Sequence, residues 1–293
     1  EVPVWVFAGS GASPVAEDIL KAKGVEVFRV EASDGRLDLP AVLKALADRG
    51  HQVHLVSTEP PFRLGDYQAG LVFHQVNTPS YPLFREPQYV LSLANKVVQV
   101  AREFPLQIIH AHYAIPHATT AWLAREMLQA EGHRLKVITT LHGTDITLVG
   151  QEESFYAITK FSIERSDAVT AVSDYLRDET YRAFGCVGCD VRVIPNFVRL
   201  DEYRPDPTKR WDGLAPEGHR RIMHISNFRE VKRVRDVVRI FARIRRAMPA
   251  TLVMVGDGPD RADAEKEAAE LGVQEDVRFL GRLESVATLL QGC

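Results

Sequence analysis

Short runs of β-branched and apolar residues alternate with longer amphipathic stretches along almost the whole chain. Runs of roughly four to eight such residues suit strands, and apolar residues at helical spacing mark the stretches between them as helices. Strands separated by helices pair side by side through crossovers, so the pattern predicts parallel βαβ units and an α/β fold. Strands are expected at residues 4–8, 25–30, 52–57, 71–75, 107–110, 136–141, 168–172 and 191–194, and helices at 39–48, 87–103, 116–130, 153–166 and 174–184. Ser173 stands one residue ahead of the last helix, as a capping hydroxyl does.

After Asn196 the pattern breaks into a polar stretch carrying Pro205, Pro207, Pro216 and Gly218, without apolar periodicity. An interdomain linker over 199–219 is expected there, between a first domain over 47–198 and a second over 220–293. The second domain starts a new series, with strands at 221–225, 251–255 and 277–280 and helices at 231–247 and 260–271. It ends within a further helix from 284, and the chain opens on Glu1 rather than Met, so it reads as a truncated fragment.

Hydrophobic residues make up 45% of the chain and charged ones 26%, which is ordinary for a globular protein with a real core. The formal charge of -3, with Lys and Arg scattered, leaves no basic excess for a nucleic-acid backbone. No apolar run approaches the roughly 18–20 residues that span a bilayer, and no secretory signal opens the chain, so a cytoplasmic protein without a membrane partner is expected. The cysteines, Cys186, Cys189 and Cys293, are too few for a disulfide framework, and the Cys186–Cys189 spacing lacks the second ligand pair of a zinc site. Two bystander thiols in a loop are expected.

Ligands of open parallel sheets sit beyond the carboxyl ends of the strands. Two segments of the first domain occupy such places: His110-Ala111-His112-Tyr113-Ala114-Ile115-Pro116-His117, and Thr139-Thr140-Leu141-His142-Gly143-Thr144-Asp145. Three histidines in eight residues suggest a metal at first sight, but opposite strand faces are expected to keep them from one ion, and His110 reads as a satisfied, partly buried histidine. Imidazoles and hydroxyls gathered at strand ends suit a polyol or carboxylate, although Gly-Thr-Asp is also turn chemistry. In the second domain Ser226-Asn227-Phe228-Arg229-Glu230-Val231-Lys232-Arg233 runs from a strand into a helix, where backbone donors and added cations would suit a diphosphate; a solvated basic first turn is the plainer reading. Gly256-Asp257-Gly258 is a tight turn that admits a ligand or merely turns the chain.

With the segments Arg49-Gly50-His51, Pro61-Phe62-Arg63-Leu64, Ser166-Asp167-Ala168-Val169-Thr170-Ala171-Val172-Ser173 and Pro195-Asn196-Phe197, these strings make the chain, from about 47 to 293, resemble the retaining glycosyltransferases of family four. The resemblance implies the GT-B fold, two Rossmann-like domains with parallel sheets. It extends to the members that move N-acetylglucosamine from UDP-N-acetylglucosamine to the hydroxyl of L-malate in bacillithiol biosynthesis, with no metal and no cofactor. It further implies that Asn227 and Lys232, with Arg229 close by, hold the donor diphosphate, and that Gly256 and Gly258 lie near the nucleoside. His142 would touch the donor sugar at the reacting centre, and Tyr113 and Thr140 would help hold malate, with a sugar diphosphate bridging the two domains.

Two departures bear on activity. The glycine-rich loop that opens the family is absent, and a pair of glutamates carried by the family would lie beyond Cys293, so little or no transferase activity is expected of this chain. Residues 2–46 instead resemble part of the reductase domain of the riboflavin-pathway deaminase-reductase, through Val4-Trp5-Val6-Phe7, Gly24-Val25-Glu26-Val27 and Gly35-Arg36-Leu37-Asp38-Leu39-Pro40-Ala41-Val42-Leu43. A chimeric chain follows from that reading. An NADPH-dependent reductase and a non-catalytic folded fragment are the competing functions, and a homo-oligomer is left open.

Overall fold

The computed structural model describes residues 4–8, 25–29, 43, 46–59, 69–79, 86, 88–185, 188–196, 204–206, 208–209, 213–283 and 285–292. The chain divides into two compact units, 1–199 and 200–293. Every strand pairing among the described residues is parallel, as the alternating pattern requires. No described helix is long and apolar enough to cross a membrane.

In the first unit β1 (Val4–Ala8) pairs with β2 (Val25–Arg29), and β3 (Val53–Ser57) with β4 (Leu71–Gln75). The main sheet has the order β5-β6-β7-β8, formed by Ile108–His112, Lys136–Leu141, Ala168–Ala171 and Val191–Val193. Helices α1 (Tyr89–Glu103) and α2 (Thr119–Ala130) pack through Leu93, Ala94, Val97 and Ala101 against Ala124 and Leu128, the alanines allowing close approach. Beyond β6 come the single turn α3 (Thr144–Thr147) and α4 (Glu153–Glu164), and beyond β7 comes α5 (Asp174–Phe184). Ile163, Leu176 and Phe184 from these helices close over Leu141, Val169 and Ala171. Ser173 caps α5 as expected, its Oγ accepting from the Leu176 N–H at 3.2 Å.

The second unit stacks β11-β10-β9 (Val277–Gly281, Ala250–Val255, Arg220–Ile225), with α6 (Val234–Ala247), α7 (Arg261–Glu270) and the short α8 (Ala287–Gln291). All of β10 is buried. Leu252 and Met254 pack under Phe241 of α6 and Ala268 of α7, while Val253 and Val255 meet Leu214, Val286 and Leu289 on the other face. A strand covered on both faces has no polar side to show, which is why this stretch reads as an unbroken apolar run.

Several expectations are corrected. The strand expected at 107–110 continues to His112, because His110, Ala111 and His112 keep pairing with Ile138, Thr139 and Thr140. The helix expected from 116 begins at Thr119, after a wide π-type turn over Ala114–Ala118. The helix expected at 231–247 begins at Val234, since Arg233 at φ 49° separates it from a 3-10 turn over Glu230–Lys232. Cys189 is disulfide-bonded rather than a bystander thiol; Cys186 lies outside the described residues. Of the helix expected at 39–48, only 43 and 46–48 are among the described residues, and these are helical. The segment Pro61 to Leu64 also lies outside them.

Candidate functional site

The carboxyl ends of β5, β6 and β7 lie side by side, and one face of this edge is polar. On a strand, residues two apart share a face. His110 and His112 therefore point the same way, Thr140 of β6 and His142 just beyond its end meet them, and Thr170 of β7 joins them. The sequence argument that set the histidines on opposite faces is overturned by this parity: the rings of His110 and His112 stack at 4.6 Å with an interplanar angle of 25°.

Nearly all of this face is tied together by short hydrogen bonds. His110 Nε2 lies 2.8 Å from Thr140 Oγ1, which lies 2.7 Å from Thr170 Oγ1. His112 Nδ1 lies 2.9 Å from His142 Nε2. His117 Nδ1 lies 2.6 Å from the His112 carbonyl oxygen, which can only accept, so His117 carries its hydrogen on Nδ1. Its Nε2 then accepts from the Tyr89 hydroxyl at 3.2 Å. No described group of three or more His, Cys, Asp or Glu side chains is arranged to hold a metal.

The surroundings disfavour imidazolium. Burial, with the neighbouring His110, His142 and His117, drives the His112 pKa down to about 2. Burial also lowers His142 and His117, although the Asp145 carboxylate pulls both the other way. Protein surrounding His110, together with His142, pushes it down to about 4. At neutral pH the cluster is a set of neutral imidazoles, able to donate or accept a hydrogen bond but carrying no charge.

Asp145 anchors the loops around the cluster. Its buried carboxylate accepts from the Ala114 N–H at 2.8 Å, the Gly143 N–H at 3.0 Å and the His142 N–H at 3.2 Å. Tyr113 sits at φ 79°, a left-handed backbone that costs a non-glycine residue on the order of 1–3 kcal/mol. Bonds on both sides hold it there: the Tyr113 N–H donates to Thr140 O at 2.8 Å, and Ala114 is fixed by Asp145. The result places the Tyr113 ring 4.7 Å from that of His142, and Tyr113 lines a cavity of about 500 Å³ whose apolar walls include Ile115, Pro116, Phe155 and Ile158.

The expected site residues of the first unit thus come together, with different exposures. Tyr113 is 38% exposed and His142 half-buried, whereas the Thr140 hydroxyl is buried and already bonded to His110 and Thr170. Sequence reasoning singled out the two strings that carry His112, His117 and Asp145 but gave these three no role of their own, and it missed Tyr89. The two-residue spacing of His110 and His112, read with β5 extended to His112, was the available signal.

In the second unit the loops after β9 and β10 are zipped together. The Phe228 N–H donates to Asp257 O at 2.9 Å and the Asp260 N–H to Phe228 O at 3.0 Å. A Cβ on Gly256 would lie 1.8 Å from Ser226 O, and one on Gly258 would lie 2.4 Å from Phe228 O. What these glycines admit is the neighbouring loop's backbone. Asn227, Arg229 and Lys232 are exposed, and neither cation forms an ion pair among the described residues. They stand on the loop and its 3-10 turn, ahead of α6 and not within its first turn.

Residues 41–202 match the model of Glycosyltransferase Family 4, and residues 205–293 match that of Glycosyl transferases group 1. The N-acetyl-alpha-D-glucosaminyl L-malate synthase of Bacillus anthracis is 42% identical over 250 residues, which cover 84% of this chain and 64% of that protein. The alpha-monoglucosyldiacylglycerol synthase of Streptococcus pneumoniae is 24% identical, covering 84% of this chain and 57% of that protein. The chain therefore spans somewhat under two thirds of the length of these relatives. Among solved structures, sucrose-phosphate synthase from Thermosynechococcus elongatus superimposes with a TM-score of 0.64 at 15% identity, over 100% of this chain and 74% of its own. Anabaena HepE in complex with UDP and glucose does so with a TM-score of 0.57 at 18% identity, over 100% and 73%. These neighbours share the GT-B fold, and the chain belongs to glycosyltransferase family 4.

Proposed function

We propose that the chain derives from, and retains the substrate groups of, an enzyme that transfers N-acetylglucosamine from UDP-N-acetylglucosamine to the hydroxyl of L-malate with retention at the anomeric carbon. The observation that carries this reading is the neutral imidazole and tyrosine cluster at the sheet edge, in a chain 42% identical over 250 residues to the malate synthase relative.

In this reading Asn227, Arg229 and Lys232 bind the donor diphosphate, and the two cations offset the negative charge that grows on the departing UDP. Gly256 and Gly258 shape the loop beside the nucleoside by keeping it packed on Ser226 and Phe228. His142 meets the donor sugar near its reacting carbon through a neutral ring, which suits hydroxyl and acetamido groups better than an imidazolium would. Tyr113 offers its ring and hydroxyl to malate. Thr140 acts on the acceptor through His110, which it holds, since its own hydroxyl is occupied. No metal is required, because the diphosphate charge is met by side chains.

The test is titration calorimetry with UDP, UDP-N-acetylglucosamine and L-malate, since little or no turnover is expected of this chain. Binding of UDP and of malate, without binding of inositol phosphate, supports the reading. Micromolar NADPH binding with no response to UDP or malate overturns it.

A further inference from the structure

His142 is held from two sides, and the side away from Tyr113 is the unusual one. His112 approaches it with rings 5.1 Å apart and 31° between planes, and the contact is a nitrogen-to-nitrogen hydrogen bond of 2.9 Å. Such a bond has room for one hydrogen, so one ring donates and the other accepts. A neutral imidazole carries one hydrogen on its two nitrogens, so the role taken by Nε2 of His142 dictates the opposite role for its Nδ1. Among the described residues Nδ1 of His142 has no protein partner, which leaves it for a ligand. His112 is itself immobilised: His110 stacks on its ring at 4.6 Å, and His117, bonded in turn to Tyr89, grips its carbonyl.

We propose that His112 is a positioning residue for His142: its Nδ1 fixes the plane of the His142 ring and couples that ring's tautomer to its own, and the pair rests in one of the two proton arrangements open to this bond, so that Nδ1 of His142 meets the ligand with a single hydrogen-bonding character. His112 does this without touching substrate. The consequence for function rests on the assignment of His142 to the donor sugar, but the tautomer itself does not.

The experiment reads the imidazole nitrogens by long-range proton–nitrogen correlation on labelled protein at pH 7.5, without substrate. The wild-type chain is expected to show one protonated and one bare nitrogen at His142. His112→Phe removes the partner atom and is expected to give averaged nitrogen shifts from mixed tautomers. In His112→Asn the carboxamide reaches the place of Nδ1 and is expected to restore the single tautomer. His112→Gln sets its amide nearer the place of Nε2 and should behave like His112→Phe, which keeps a reading available if the phenylalanine variant misfolds. Averaged shifts in the wild type, or a single tautomer surviving in His112→Phe or in His112→Gln, overturn the proposal. So does loss of the native amide spectrum in all three variants, which would make His112 a packing residue. UDP-N-acetylglucosamine is then added. A shift at Nδ1 of His142, with binding about tenfold weaker in His112→Phe and near wild type in His112→Asn, is expected for the loss of one hydrogen bond's worth of alignment. A locked tautomer that the donor does not perturb would leave the positioning intact and refute the donor-sugar assignment instead.

Discussion

The carboxylate of Asp145 accepts the backbone N–H of Ala114 at 2.8 Å, fastening the loop after β6 to the loop after β5. Through that bond a residue of one loop fixes the strained backbone of its neighbour Tyr113 in the other. The same carboxylate takes the N–H groups of His142 and Gly143, so the two aromatic faces of the site are aligned by one buried acid.

Replacing Asp145 by Asn leaves one acceptor oxygen for these N–H groups and turns an amide donor toward another donor. A loss of about 1–3 kcal/mol in unfolding free energy is expected, the cost of leaving buried donors unmade. Urea denaturation compared with wild type checks it, and an unchanged midpoint would show that the loops are held by other contacts.

Gly150 is expected to tolerate no side chain. A Cβ there would lie 1.9 Å from Asp145 O and 3.0 Å from the Thr159 methyl, and backbone cannot give way as a side chain tip can. Gly150→Ala should cost about 1–3 kcal/mol, the range for overpacking, and lower the melting temperature. The same substitution at Gly132, with open space around its Cβ position, supplies the contrast, since only its φ of +89° opposes a side chain there.

The imidazole cluster makes stability depend on pH in a defined direction. His112 has an ordinary value of 6.5 and about 2 in the fold, so below 6.5 the unfolded chain takes up a proton that the folded one excludes. Its contribution is complete above about pH 7 and falls by ~1.4 kcal/mol per pH unit as the pH drops from 6.5 toward the folded value. Unfolding free energies at pH 7.5 and 5.5 should differ more in the wild type than in His112→Phe. Equal differences in the two proteins would refute this origin.

Arg229 and Lys232 should govern UDP affinity, because they are the exposed cations of the loop after β9 that form no ion pair among the described residues. Loss of either to Ala is expected to weaken UDP binding roughly 10- to 100-fold, the worth of a hydrogen bond to a charged group, with the largest difference at low salt. Calorimetric titration of both variants decides it; affinities within a factor of about two of wild type would place the diphosphate elsewhere.

The strand expected at 251–255 is present as β10, and its run is apolar throughout because burial on both faces removes any need for polar alternation. The same logic fixed the parallel class and located the candidate ligand groups at strand ends. It stumbled at His112, which was set on the face opposite His110 although residues two apart on a strand share one face. Ring contact depends on that parity, and parity depends on where pairing stops. Nor did the basic string around Arg229 disclose that Arg233 turns left-handed and detaches the cations from α6.

Amino-acid order alone determined the parallel α/β architecture and the family, since each is written in local apolar periodicity or in contiguous strings. Tertiary structure alone decided which hydroxyl is occupied, which histidines are neutral and why Gly256, Gly258 and Gly150 carry no side chain. Those properties arise where segments distant in sequence approach within a few ångströms, and hydrogen bonding, desolvation and steric overlap are set by that approach and not by the identity of the residues beside them in the chain.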